Sequence, residues 1–186
     1  MGNITNDSLG ASTQFRARLA GVFYLVNTIT SLVGFSGKVS GWILTACNLT
    51  ASMSYMAVVV LLYFLFKPVS RSLSLVAALF GLAGSANELL WRYDLFPFHI
   101  HSLVYFGVYC TLIGVLILLS GFMPRLFGAL LFLAGAGWLT FVSPRLAALC
   151  TPYNYIGGGL GEIPLMLWLL IKGVNTEREV AHISPK

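Results

Sequence analysis

Residues 153–171 read YNYIGGGLGEIPLMLWLLI, an apolar run with a single acidic residue, Glu162, near its centre. As a helix rising ~1.5 Å per residue, such a run is long enough for the ~30 Å hydrocarbon core of a bilayer. Glu162 lies ten residues before Lys172, which places it ~15 Å deep, near the middle of the membrane. An ionisable side chain at that depth is costly and usually faces the interior of a helix bundle. The run therefore predicts a membrane-spanning helix with a buried acid.

The rest of the chain repeats this pattern. Only 9% of its 186 residues are charged, against roughly 25% in soluble domains, so an ordinary soluble protein is excluded. We predict an all-α integral membrane protein, a six-helix transmembrane bundle over residues 18–173, between a polar segment (1–17) and a tail (174–186). The six predicted spans are Leu19–Phe35, Ile43–Phe66, Leu73–Trp91, Ser102–Gly121, Leu126–Val142 and Tyr153–Ile171.

The positive charges indicate the orientation. The net charge of +5 does not indicate nucleic acid as a partner, because the cations lie scattered at the ends of the apolar runs. Cytoplasmic loops of membrane proteins carry an excess of Lys and Arg, which predicts that both termini are cytoplasmic. The predicted cytoplasmic side holds Arg16, Arg18, Lys67, Arg71, Arg125, Lys172, Arg178 and Lys186, and the other side holds Lys38, Arg92 and Arg145.

Glu162 has an unusual backbone setting. Four glycines precede it within five positions, and Pro164 cannot donate a hydrogen bond to the Leu160 carbonyl. One hypothesis is a kinked or opened turn over residues 157–164, where Glu162 and the Leu160 carbonyl line a cavity. The other is a glycine packing groove, with Glu162 neutral and hydrogen-bonded to a polar neighbour. In either case Glu162 is not expected to face lipid.

Depth along the helices suggests polar partners for this acid. Asn27 lies nine residues after Arg18, and Tyr109 and Thr111 lie seven and nine residues after Ser102. With Glu162 they are candidates for one buried ligand-binding cluster. Cys110, between Tyr109 and Thr111, is expected to be a small apolar filler.

A second set of polar residues lies at the other end of the third span. Glu88 is predicted to face the bundle and to pair with Arg92, four residues later. His99 and His101 with one acid would suit a metal ion, but no further metal-binding spacing accompanies them, so we predict a structural ion pair and no metal site. Cys47 and Cys150 fall at the same side of the membrane, and sequence alone does not decide whether they pair.

Two turns look alike and both contain a proline beside a cation, at Lys67-Pro68 and at Pro124-Arg125. Helices two and three could therefore form a repeat with helices four and five, as in some transporters. Shared composition of two small-residue hairpins is the simpler explanation of the likeness.

Four strings resemble a bacterial family of small polytopic membrane proteins known only as a domain of unknown function. They are Arg18–Tyr24, Lys67–Leu73, Ser120–Arg125 and Gly161–Val174, the last being the most specific. The resemblance places the family's Gly-Glu pair of the terminal helix at Gly161 and Glu162. It implies a multi-pass protein of the bacterial cytoplasmic membrane and implies no activity.

Three functions follow as hypotheses. The first is a non-catalytic bundle that binds a lipophilic small molecule or a lipid, or that joins a second copy or another membrane protein. The second is an enzyme acting on a lipid or isoprenoid, with Glu162, helped by Glu88, as general acid. The third is a proton-coupled carrier in which Glu162 titrates and which works as a dimer. The sequence identifies no cofactor.

Overall fold

The computed structural model of the chain describes residues 2–93, 95 and 100–174, with side chains from Gly10 onward. Over these residues the protein is helical, without strands, and six helices are long and apolar enough to cross a membrane. The predicted all-α fold with six spans is confirmed. The helices are α1 (Gly2–Phe35), α2 (Gly41–Phe66), α3 (Arg71–Arg92), α4 (Ser102–Ser120), α5 (Arg125–Leu139), α6 (Pro144–Cys150) and α7 (Tyr153–Ile171).

Helix α1 is longer than its apolar run. It begins at Gly2, so the boundary predicted at residue 17 lies inside a continuous helix. The polar start of α1 packs against the end of α7: the Gln14 side-chain amide donates to the Lys172 carbonyl (2.8 Å) and accepts from the Val174 N–H (2.9 Å). These bonds satisfy backbone groups that the end of α7 leaves without helical partners.

The short helix α6 was not predicted. It lies between the fifth and sixth spans and follows a single 3₁₀ turn, Thr140–Val142, that extends α5. Pro144 occupies its first turn, a position where the missing N–H costs nothing. The Ser143-Pro144 dipeptide is the sequence signal that marks this start.

The six spans form a closed ring. Neighbours along the chain pack side by side from α1 to α5, α7 packs on α5, and α7 also packs on α1. We call the end at which α1 finishes and α2 begins the cation-poor end, and the opposite end the cation-rich end. Glycines allow the closest helix contacts, as small residues do in membranes. A Cβ added at Gly21 would lie 2.6 Å from the Leu170 backbone nitrogen, so α1 and α7 touch there backbone to backbone.

The interior of the ring differs between its two halves. Towards the cation-rich end it is filled by large apolar side chains that are almost fully buried, among them Leu62, Phe66, Ile113, Leu116, Leu165 and Leu169. Towards the cation-poor end it holds a cavity lined by residues that include His101 and Glu162.

Helix α7 corrects one prediction. It is helical without interruption from Tyr153 to Ile171, with Pro164 inside it. Of the kinked or opened turn expected at residues 157–164, the opened turn is therefore wrong, and the kink stays a prediction. The glycines serve packing instead. A Cβ at Gly161 would lie 2.6 Å from Ala134 Cβ and 2.7 Å from the Leu130 carbonyl oxygen. Tight contact with α5 and the high cost of unpaired backbone groups in a membrane together keep this segment helical.

Candidate functional site

A cavity of about 590 Å³ lies inside the ring and extends from the loop residues Ile100 and His101 to Glu162. Glu162 is nine residues from either end of α7, so the cavity reaches roughly half the depth of the bundle. Most of its wall is apolar or aromatic, formed by Phe35, Ala51, Tyr55, Trp91, Ile100, Leu103, Phe106, Trp138 and Tyr155. Its polar groups come from Asn27, Ser31, Ser52, Glu88, Arg92, His101, Ser102 and Glu162.

The Glu162 carboxyl lies at the floor of this cavity and accepts three hydrogen bonds. The Tyr24 hydroxyl donates to Oε2 (2.9 Å), and the Trp138 indole N–H donates to Oε1 (3.0 Å). The Cys110 thiol is a weaker donor to Oε1 (3.6 Å). These donors come from α1, α5 and α4, so one side chain of α7 connects four of the six spans. The prediction that Glu162 faces the bundle interior is confirmed.

Helix α7 makes room for the Trp138 ring by presenting glycine. The space that a Cβ at Gly158 would need is occupied by the six-membered ring of Trp138. The indole is further held between Tyr155, with ring centroids 5.8 Å apart, and Phe141, at 6.3 Å. Gly158 thus leaves space for the indole ring whose N–H donates to Glu162.

Tyrosine rings fill the space beside the acid. Tyr55 makes edge-to-face contacts with Tyr24 (5.8 Å), Phe106 (4.9 Å) and Tyr109 (6.0 Å between centroids). Within the described part of the chain, the hydroxyls of Tyr55 and Tyr109 are buried and have no hydrogen-bond partner. Buried hydroxyls are nearly always hydrogen-bonded in proteins. Tyr55 contributes to the cavity wall, although its hydroxyl oxygen is itself buried.

The predicted partners of Glu162 lie in three different environments. Asn27 lines the same cavity, and its side-chain amide donates to the Ala51 carbonyl (3.0 Å). Tyr109 packs against Tyr55 beneath the cavity wall. The Thr111 hydroxyl donates to the Gly107 carbonyl of its own helix (2.9 Å) and lies against Gly135 in the α4–α5 contact. The structure therefore brings Asn27 and Glu162 together and places Thr111 on another face of α4.

The rim of the cavity contains the predicted ion pair. Arg92 and Glu88 lie 2.9 Å apart, and each side chain is about 32% exposed, which confirms the pairing. His101 caps α4: its Nδ1 accepts from the Leu103 N–H (3.3 Å). Partial burial lowers the pKa of the His101 imidazole, and the Glu88 carboxylate opposes this shift only in part. Partial burial therefore favours the neutral form of His101. His99 lies outside the described residues.

Among the described residues, no three His, Cys, Asp or Glu side chains lie close enough together to hold a metal ion. Cys47, Cys110 and Cys150 are free thiols.

Sequence reasoning did not identify Tyr24, Tyr55 and Trp138. Tyr24 lies three residues before Asn27, on the same face of α1. Helical spacing could therefore have predicted Tyr24 as a further partner of Glu162. Trp138 is near the end of α5 and reaches Glu162 only through its long side chain, which depth along a helix does not reveal.

Comparison with known proteins gives the family. The profile of a domain of unknown function, DUF4386, matches residues 93–173. An uncharacterised protein of Archaeoglobus fulgidus is 34% identical over 125 residues, which is 62% of this chain and 75% of that protein. The chain belongs to the DUF4386 family. No solved structure matches it.

The DUF4386 match covers part of the site. Cys110, Trp138 and Glu162 lie within the matched residues, whereas Tyr24, Asn27 and Tyr55 precede them. As a DUF4386 protein with six apolar helices, the chain is a multi-pass membrane protein of a family without an assigned activity. The bacterial inner membrane and the cytoplasmic position of both termini remain predictions.

Proposed function

We propose that this protein binds a lipophilic small molecule in the cavity between its spans, with a polar group of the ligand beside Glu162. The observation that carries the proposal is the cavity itself. Its volume of about 590 Å³ falls within the ~300–1,000 Å³ of small-molecule sites in proteins. Its mainly apolar wall and few convergent polar groups are also typical of such sites.

The polar groups of the cavity lie where they would orient a ligand. Glu162 is at the floor, and Glu88, Arg92 and His101 are at the rim. Between these levels the wall is formed by rings such as Tyr55 and Phe106. A molecule with an apolar body and a polar group at one end fits this distribution, because each part would contact groups of its own polarity.

The enzyme and carrier hypotheses require more than the cavity supplies. A carrier needs a path through the half of the ring filled by side chains such as Leu62, Ile113 and Leu165, and these are almost fully buried. An enzyme needs a reacting bond held against Glu162 in addition to a bound molecule. Ligand binding requires only an enclosed volume, an apolar wall and a few polar groups, which the cavity contains. Catalysis and transport would each require such binding as a first step.

The test uses a matched pair of substitutions in α1. Ser31 lines the cavity, whereas Leu32 is 66% exposed on the outside of the ring. Ser31→Phe should place a phenyl group in the cavity and fill part of it. Leu32→Phe should place the same phenyl group on the lipid-facing surface. Each protein is purified in mild detergent, and native mass spectrometry with analysis of organic-solvent extracts identifies small molecules that remain bound.

We expect a stoichiometric adduct on the unmodified protein and on Leu32→Phe, and its loss from Ser31→Phe. An adduct that survives equally in both variants would place the ligand elsewhere. Two negative results together would contradict the proposed function. These are the absence of an adduct on all three proteins and the absence of binding of both tetraphenylphosphonium and tetraphenylborate to the unmodified protein.

A further inference from the structure

The polar floor of the cavity suggests the chemical class of the ligand. We infer that the cavity selects a lipophilic cation, such as a protonated amine or a quaternary onium ion, whose positive charge lies beside Glu162. This inference rests on the proposed function and deepens it.

The first step is the charge of the cavity. Its lining contains two carboxyl groups and one guanidinium. Arg92 offsets Glu88, because the two form an ion pair at 2.9 Å. His101 accepts a hydrogen bond at Nδ1, and partial burial favours its neutral form. Glu162 is therefore the one carboxyl group of the described lining without an ion-pair partner in that lining.

The second step is the nature of the groups around Glu162. Its three partners are a phenol, an indole N–H and a thiol, all of them neutral donors. They satisfy the oxygen atoms of the carboxyl group, but they would not compensate the charge of its ionised form. A charge far from water is tolerated when an opposite charge accompanies it. A ligand cation would supply that charge, and a lipophilic anion would add a second charge of the same sign.

The third step is the aromatic wall. Tyr55, Trp91, Phe106, Trp138 and Tyr155 present their rings to the cavity. The faces of aromatic rings attract cations, and indole does so most strongly. Sites that recognise quaternary ammonium groups use several such rings together. The same rings supply apolar surface for the body of the ligand, so one wall serves both parts of a lipophilic cation.

The experiment compares two probes of nearly the same shape and opposite charge, tetraphenylphosphonium and tetraphenylborate. Binding to the purified protein in a neutral detergent is measured by equilibrium dialysis, and micelles without protein give the background for each probe. We expect the dissociation constant for the cation to be at least about tenfold lower than that for the anion. This comparison uses the unmodified protein, so it does not depend on the folding of any variant.

Two substitutions then locate the charge. Glu162→Gln keeps the shape of the side chain and removes its charge, and should weaken cation binding at least about tenfold. Glu88→Gln removes the same charge from the rim, where Arg92 already offsets it, and should change binding less than Glu162→Gln does. Size-exclusion profiles and circular dichroism show whether each variant is folded.

The outcomes separate the inference from the proposed function. Equal binding of both probes, or tighter binding of the anion, would overturn cation selectivity and leave a lipophile-binding cavity in place. Cation binding that a folded Glu162→Gln variant retains in full would also overturn it. Loss of the adduct in Ser31→Phe, seen without any preference between the probes, would support the proposed function alone.

Discussion

The Tyr24 hydroxyl is the donor that joins α1 to Glu162 on α7. In Tyr24→Phe the ring stays and only this hydroxyl is lost, which leaves Oε2 of the buried carboxyl without its donor at 2.9 Å. Hydrogen bonds between membrane helices contribute about 0.6–1.7 kcal/mol. We expect Tyr24→Phe to lower the free energy of unfolding by about 1 kcal/mol, measured by titration with a denaturing detergent in mixed micelles.

Tyr55→Phe is the matched control for this change. The ring of Tyr55 touches that of Tyr24, but its hydroxyl is buried without a partner, and deleting such a group costs little or nothing. Protein freed of bound lipophiles should therefore keep or slightly gain stability in Tyr55→Phe. Equal losses in the two variants would show that the Tyr24–Glu162 hydrogen bond contributes nothing specific.

Single residues show where the sequence alone stops being informative. Depth along a helix follows from counting, and it correctly placed Asn27 and Glu162 at the cavity. Rotation about the helix axis does not follow from counting. Tyr109, Cys110 and Thr111 are consecutive, so each points in a direction about 100° from the next. Only the position of the neighbouring helices shows that Cys110 meets Glu162 and that Thr111 meets α5.

At the scale of an element, α7 contains two glycines only two positions apart that differ sharply in their surroundings. A Cβ at Gly161 would meet a backbone carbonyl of α5 at 2.7 Å, whereas a Cβ at Gly159 would meet only the end of Ile163 at 3.8 Å. Gly161→Ala should push α5 and α7 apart and cost about 1–3 kcal/mol. Gly159→Ala should be neutral or stabilise the helix by up to about 1 kcal/mol. The same denaturing-detergent titration measures both, and a Gly161→Ala protein as stable as Gly159→Ala would contradict this account of the packing.

The elements themselves were largely predictable. Long apolar runs define five of the six spans to within about two residues, because the bilayer fixes both their length and their composition. The polar start of α1 was not assigned to a helix, since its helical state depends on contacts with the end of α7. The sequence also left open whether α7 is uninterrupted, since an opened turn and a glycine packing groove were both hypotheses. Glycine and proline weaken an isolated helix, but here close packing against α5 and the absence of water outweigh that weakness.

At the scale of the whole molecule, the cavity is a feature that no single helix contains. The cavity exists because α7 returns to α1 and closes the ring, a contact between residues about 140 positions apart, as in Tyr24–Glu162. Hydropathy specifies the spans but not their order around a ring, so the cavity could not be derived from the sequence. Once the ring is closed, large side chains fill one half and the smaller Ser31, Ala51 and Ser52 help to leave the other half open.

The orientation of this ring in the membrane is a prediction for the whole molecule, based on eight cations at one end and three at the other. Ser40 and Ser72 are exposed serines at opposite ends, at the start of α2 and of α3. Ser40→Cys and Ser72→Cys are made in a protein with Cys47 and Cys150 replaced by alanine, while the buried Cys110 is kept. A membrane-impermeant maleimide added to intact cells should label residue 40 and miss residue 72 until the membrane is opened. The reverse pattern would place the mouth of the cavity and its Glu88–Arg92 rim in the cytoplasm, so that a ligand would enter from inside the cell.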